Sequence, residues 1–367
     1  MNGTIYMPVG EVCSSISDTY REKKNMVTLI NTSDVLEGRV LNHERVPNSN
    51  LKGQFKKTFQ RDDILYSEIR PQNRRFAYVD FSPIDYVAST KLMVIRAKKD
   101  VVSPKYLYYF LKNSSTVAEL QLLAETRSGT FPQITFSEVA NLTIPVPSLA
   151  VQEVIVQTMQ CLEDKITCNE QINDNLQQQA QAIYSSMFID NSESAWTHGH
   201  LSDLVTVKYG KDHKKLSEGI YPVYGSGGIM RYVERPLYDK ESVLIPRKGT
   251  LNNVMYVNQP FWSVDTMFYT EMKLPNVAKF VYHFVKAKDL ASMNAGSAVP
   301  SMTTDILNAM EVVIPSASAL EEFEALVAPM YEAMEANDVQ SQALSKVRDT
   351  LLPKLMSGEI DVSDIQL

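Results

Sequence analysis

Along two stretches of the chain the apolar residues recur every three or four positions. In the first they fall at Ile155, Met159, Leu162, Ile166, Leu176, Ala180, Ile183 and Met187. In the second they fall at Phe323, Val327, Met330, Met334, Leu344, Leu351 and Leu355. An apolar stripe with a mean step near 3.5 residues, sustained over several heptads, is a coiled-coil seam. Each stretch therefore predicts one long helix, about 55–60 Å for ~38 residues. Both seams carry an asparagine at the matching place, Asn169 and Asn337. A polar residue in a seam costs stability and can set register; an asparagine that points to solvent fits the pattern equally. Proline introduces each helix, in "IPVPS" (144–148) and "IPSAS" (314–318), and Gly358 reads as a helix stop.

The two stretches are copies. Shifted by 168 residues, Pro147 falls on Pro315, Leu176 on Leu344, Ile183 on Leu351 and Met187 on Leu355. The segments before them agree as well, "GTFPQITFSEVANLTIPVPS" (129–148) with "GSAVPSMTTDILNAMEVVIPS" (296–316). Further back, "MPVGEVCSSIS" (7–17) resembles "GHLSDLVTVKY" (199–209), and "DDILYSEIR" (62–70) resembles "ESVLIPRKG" (241–249). The expected organisation is a globular domain over 1–147, a helix over 148–189 and a polar linker over 190–197. A second globular domain over 198–315, a second helix over 316–357 and a tail over 358–367 complete it.

The globular parts read as α+β. "SVLIP" (242–246), "VMYV" (254–257) and "TMFYTEM" (266–272) have strand character, punctuated by Gly, Pro and Asn. "YGSGGI" (224–229) reads as a turn. "KYLYYFLK" (105–112) returns as "KFVYHFVK" (279–286). Its aromatic residues step by three and four, which predicts a half-buried helix packed on a sheet.

The net charge of −7 argues, taken whole, against a nucleic-acid binder. Its distribution reverses that. Residues 1–147 carry +4 and residues 198–315 carry +2, while 148–197 and 316–367 carry −6 and −7. The acid sits on the helices and the globular parts are basic, as local phosphate patches require. Four clusters stand out: Lys56, Lys57 and Arg61; Arg70, Asn73, Arg74 and Arg75 in "RPQNRR"; Lys208, Lys211, Lys214 and Lys215 in "KYGKDHKK"; Arg247, Lys248, Asn252 and Asn253 in "RKGTLNN". Arginine can hold guanine bidentately and asparagine can hold adenine, so the second and fourth have the vocabulary of base readout. Any one such run can also be a solvated face. What favours readout is that these two clusters follow corresponding strand-like segments in the two halves.

Catalytic signatures are missing. No Gly-rich phosphate loop, no dinucleotide fingerprint and no Asn/Asp-Pro-Pro-aromatic methyltransferase motif occurs. The histidines of "HGH" (198–200) read as linker residues rather than metal ligands, and Cys161 and Cys168 as small buried apolar groups on one helix face. Three scattered cysteines, no run near ~18 apolar residues and no signal-like start lead to the expectation of a cytoplasmic chain off the membrane.

The junctions "GTFPQITFSEVANLTIPVPSLAVQEVI" and "GSAVPSMTTDILNAMEVVIPS", and the helix endings "QQQAQAIYSSMF" and "LSKVRDTLLPKLMSGEI", resemble the specificity subunits of type I restriction–modification systems. So does "GIYPVYGSGGIM" together with "LIPRKGTLNNVMYVNQPFWSVDTMFY". "PSASALEEFEAL" departs from the Gln-Glu form of "PSLAVQEVI", and Pro329 interrupts the second helix near its start. The resemblance implies two globular target-recognition domains separated by a long antiparallel two-helix coiled coil, each domain reading half of a split duplex DNA site. It implies two methyltransferase subunits docked on the helices, with restriction subunits joining the complete complex. The chain itself would be non-catalytic and bind no cofactor, S-adenosylmethionine, ATP and Mg²⁺ belonging to its partners. Phosphate contacts are expected from Lys56, Lys57 and Lys208 to Lys215, base contacts near Arg70–Arg75 and Arg247–Asn253. Arg74→Ala or Lys248→Ala would then impair one half-site only. Two other readings stand beside it: the separate specificity subunit of a fused methyltransferase–nuclease system, and a coiled-coil adaptor that binds proteins alone.

Overall fold

The two apolar stripes form the helices they predict. Leu149–Ser185 is closed by a π-helical turn over Ser186–Asp190, and Ala317–Ser357 is continuous. The computed structural model describes residues 4–22, 24–48, 53–127, 130–193, 196–293 and 301–362. Parts of the expected junctions (Gly129 and 296–300), of the linker (194–195) and of the tail (363–367) lie outside the described residues. Pro329 does not interrupt the second helix. The missing N–H costs one hydrogen bond, while Phe323 and Val327 before it and Met330 and Tyr331 after it pack on one core.

The chain divides into two units, Met1–Cys168 with Val339–Leu367, and Asn169–Asp338. Each unit thus holds one globular part, the start of one long helix and the end of the other.

In the first unit, strand Ile5–Pro8 pairs antiparallel with Thr143–Val146, so the entry and exit of the globular part are zipped together. A helical turn, Val9–Val12, leads into a four-stranded sheet ordered Cys13–Ile16, Leu92–Ala97, Ile64–Ser67, Phe76–Tyr78. The aromatic helix is Pro104–Lys112, with proline in its first turn, where a missing N–H costs nothing. It is not half-buried as the pattern suggested: every residue from Tyr106 to Leu111 is buried. One apolar cluster joins Tyr66 and Ile95 of the sheet, Tyr106 and Leu107 of this helix, Ile155 and Met159 of the first long helix, and Leu352 and Leu355 of the second. Sequence period reports one apolar face; here other elements cover the rest. Each such side chain contributes about 1.5–3 kcal/mol of transfer free energy.

The second unit repeats the plan. Thr197–His200 pairs antiparallel with Glu311–Ile314, so "HGH" belongs to a strand and not to a linker, His198 opposite Val313 and His200 opposite Glu311. The sheet order is Val205–Tyr209, Met267–Met272, Ser242–Pro246, Met255–Val257. Beside it lies a three-stranded sheet of Gly228–Val233, Tyr221–Gly225 and Trp262–Ser263. The second aromatic helix, Ala278–Lys286, is buried from Ala278 to Val285.

Asn169 is fully buried and donates from Nδ2 to the Asn337 carbonyl at 3.3 Å, while Asn173 donates to the Met334 carbonyl at 3.2 Å. Partners descend in one helix as they rise in the other, so the pairing is antiparallel. Asn337 donates to Asn173 Oδ1 at 2.8 Å. The seam asparagines therefore face the neighbouring helix, not solvent. Cys161 and Cys168 are exposed rather than buried, being off the apolar stripe; Cys13 is the buried one.

Candidate nucleic-acid interface

Each unit joins two corresponding strands by a cation-bearing loop. In the first unit, Arg70–Arg75 links Ile64–Ser67 to Phe76–Tyr78. Arg70 and Arg74 take left-handed φ values of 45° and 51° on either side of the short turn Pro71–Asn73. A non-glycine residue there costs about 1–2 kcal/mol, so the loop is held by its surroundings. Gln121 Oε1 accepts from the Gln72 amide at 3.1 Å. The turn leaves Arg70 and Asn73 exposed and brings Arg74 and Arg75 inward. Arg74 donates to Ser114 Oγ at 2.9 Å and lines a cleft of about 90 Å³ with Glu37, Lys112, Glu163 and Arg348. Arg75 donates to the Ser33 carbonyl at 3.0 Å. Two of the three loop arginines are thus engaged with protein.

The first cluster divides in the same way. Lys56 and Arg61 are exposed and have no ion-pair partner among the described residues. Lys57 instead donates to the Leu92 and Thr90 carbonyls at 2.8 and 3.1 Å, and burial lowers its pKa.

In the second unit three segments come together. The loop Arg247–Asn253 follows Ser242–Pro246, and Arg247 lies 5.4 Å above the Tyr209 ring while donating to the Asp265 carbonyl at 3.3 Å. Asn253 Nδ2 donates to the Ser226 carbonyl at 2.8 Å, tying this loop to the glycine turn of the hairpin Tyr221–Val233. Gly249, at φ +85°, packs so closely on that turn that a Cβ would sit 2.8 Å from Ser226 Oγ. The Trp262 indole N–H donates to the Lys211 carbonyl at 2.8 Å and so anchors the lysine segment. Lys211, Lys214, Lys215 and Lys248 are exposed with no ion-pair partner among the described residues, whereas Lys208 stands 3.8 Å from Glu271. Asn252, itself exposed, donates to Asp289 Oδ1 and accepts from the Ala291 amide, each at 3.0 Å. The two asparagines of this loop are thus hydrogen-bonded to protein, whereas Asn73 of the first loop is exposed.

What this arrangement offers is a set of exposed ammonium and guanidinium groups with no ion-pair partner among the described residues, Arg70 and Lys248 among them on loops at corresponding strand ends. Among the described residues no group of three or more His, Cys, Asp and Glu is placed to hold a metal ion, and no helix is long and apolar enough to cross a membrane.

The family model for the type I restriction modification DNA specificity domain matches this chain twice, over residues 6–178 and 193–322. The chain belongs to that family. The two matches of this specificity-domain family are the two halves of the repeat. Among its relatives, the HindI type I restriction enzyme specificity subunit of Haemophilus influenzae is 27% identical, over 91% of this chain and 94% of its own length. The MjaIX specificity subunit of Methanocaldococcus jannaschii is 25% identical over 77% of each chain. The fold is also that of the crystallised type I restriction–modification S subunit from M. genitalium, with a TM-score of 0.57, 18% identity and 97% coverage of both chains. The expectation of two globular α+β domains in a twofold repeat with two long helices is met.

Proposed function

We propose that this chain is the DNA-binding specificity subunit of a type I restriction–modification complex, and that each globular domain reads one half of a bipartite, asymmetric duplex target. The observation that carries the reading is the duplication itself: one fold built twice, each copy joining corresponding strands by a loop that exposes a cation with no ion-pair partner among the described residues, but with different loop sequences. Lys56, Arg61 and Arg70 in the first domain, and Lys211, Lys214, Lys215 and Lys248 in the second, contact phosphates. Such contacts position the duplex and carry no sequence information by themselves. Lys57, Asn252 and Asn253 hold the loops in shape. The chain performs no chemistry and holds no cofactor; methyltransferase subunits dock on it and methylate adenine, and a restriction subunit adds cleavage. The complex works in the cytoplasm.

The test is a binding titration with the chain and its methyltransferase subunits on a target identified by mapping methylated adenines. Replacing Lys211, Lys214 and Lys215 together by Ala should weaken binding and lower the slope of log K against log[salt] by about 2–3. It should do so through one half-site, the other being unchanged. Binding that is indifferent to salt and to sequence would leave the protein-only adaptor as the reading.

A further inference from the structure

We propose that the bulged edge strand Gly228–Val233 lies in the major groove, and that Ile229 and Met230 read a thymine C5-methyl group by apolar contact. This deepens the DNA reading above and rests on it.

The hairpin exposes apolar surface where a soluble domain would normally be polar. Ile229, Met230 and Tyr232 are 46%, 60% and 42% exposed, and Ile220 at its open end is 78% exposed. The opposite face is conventional: Val223 and Val233 are buried with Phe261 and Trp262. The register explains why two successive side chains point outward. Val223 lies opposite Arg231 but Tyr224 lies opposite Ile229, so Met230 is an extra, bulged residue. A bulge re-aims side chains. Met230 folds back over Gly225, where a Cβ would meet its Sδ at 2.5 Å, which is a reason for glycine there. At the tip, Ser226 is held by the loop Arg247–Asn253, while Gly227 and Gly228 have nothing within 4 Å of a built Cβ and face open space.

An exposed apolar patch rimmed by polar groups marks an interaction surface, and the rim identifies the partner. Arg231 donates to the Leu216 carbonyl at 2.7 Å, wiring the strand to the segment that carries Lys211, Lys214 and Lys215. Asn253 wires the tip to the loop that carries Lys248. Exposed apolar side chains beside segments that carry exposed lysines suit a polyanion that offers apolar features between its phosphates. The major groove, about 12 Å wide, is open enough for a β element, and among base-edge groups the thymine methyl is the apolar one. Arg231, the one charged residue of Gly228–Val233, is spent on Leu216, so apart from the Tyr232 hydroxyl the strand's outward vocabulary is apolar contact.

The test uses the full chain with its methyltransferase subunits. A half-site methylated on adenine contains an A·T pair and hence a thymine. In the half-site lost by the Lys211/Lys214/Lys215 variant, each thymine is replaced in turn by uracil, which lacks only the methyl. One or two positions should bind about fourfold more weakly, the effect of one buried methyl. That penalty should vanish in Met230→Ala or in Ile229→Ala, either of which serves if the other misfolds. Uracil in the other half-site should leave both variants and wild type alike. If uracil is neutral throughout the second domain's half-site, or if the penalty persists in both variants, the strand does not read the methyl. Absence of salt-dependent binding by wild type would instead overturn the DNA reading together with this one.

Discussion

The aromatic helices Pro104–Lys112 and Ala278–Lys286 hold the same place in two units of the same plan, yet different chemistry ties each to the long helices. In the first, Lys112 pairs with Glu163, and the Tyr109 hydroxyl donates to the same carboxylate at 2.9 Å. The Lys112 ammonium also lies 4.5 Å from the centroid of the Tyr109 ring. In the second, the place of Tyr109 is taken by His283, which is fully buried and stacked on Tyr184 at 5.5 Å. Its Nδ1 is 2.8 Å from Gln181 Oε1 and its Nε2 is 2.9 Å from the Tyr331 hydroxyl. Tyr331 stands 168 residues after Glu163, the offset of the long helices. The buried lysine has moved to the other end of the helix: the Lys279 side chain is 5% exposed and lies 2.6 Å from Glu324 and 3.3 Å from Glu241, while Lys286 is exposed. The lesson is that the repeat keeps apolar packing and chain direction, while buried polar groups change as sets. A buried donor left alone costs about 1–3 kcal/mol, so a new one must arrive with its acceptor.

Phe323→Ala should separate the two units most. That ring is fully buried against Tyr184, Phe188 and His283, and its loss should destabilise the second unit by about 3–5 kcal/mol in denaturant unfolding. Ile155→Ala, at the matching place in the first unit, should cost less. Equal costs would mean that the aromatic cluster adds nothing beyond volume.

Acid should separate the units next. Burial, with the nearby Lys286 charge, lowers the His283 pKa from 6.5 to about 4. Between those values the unfolded chain holds a proton that the folded chain does not, so stability rises with pH across that window. It is complete above about pH 6.5 and falls by about 3 kcal/mol as the pH drops to about 4. Tyr109, in the same place, has no such transition. Hydrogen exchange at pH 5 should therefore speed up first around Ala278–Lys286, and His283→Phe should flatten the dependence. An unchanged profile in that variant would refute the assignment.

A smaller contrast comes from the ion pairs. Glu324→Gln leaves Lys279 with Glu241 alone and should cost about 2 kcal/mol. Glu163→Gln, at a site where Glu163 is 28% exposed, should cost about 1 kcal/mol. Thermal unfolding of the two variants ranks them; the reverse order would show that the first unit carries the tighter anchor.

Smallest is Asn169→Leu, which should change stability by under about 1 kcal/mol, in the stabilising direction, because a seam asparagine costs stability to set register. Spin-label distances between the helices should then broaden. A single sharp distance would show that the register is held elsewhere.

Much of the fold is legible in the chain. Apolar period fixes element type because a helix presents every third and fourth residue to one side, and the 168-residue shift reveals two units before any contact is known. The basic loops were legible too, as charge set against acidic helices. What could not be read was direction. Arg74 and Arg75 have the same composition signal as Arg70, and only the turn Pro71–Asn73, with left-handed residues on either side, brings them against protein. Asn252 and Asn253 carry the same signal as Asn73, and only the fold gives their amides to Asp289 and Ser226. "GIMRYV" passes for an ordinary strand, because a bulge depends on its partner's register and not on local sequence.

Two α+β units, two long seams and two cation-bearing loops follow from the chain alone, because period, repetition and charge are local properties. Which cations are exposed, which asparagines bind protein and which lysine is buried follow from the packed fold, because those depend on partners 27 to 45 residues away along the chain.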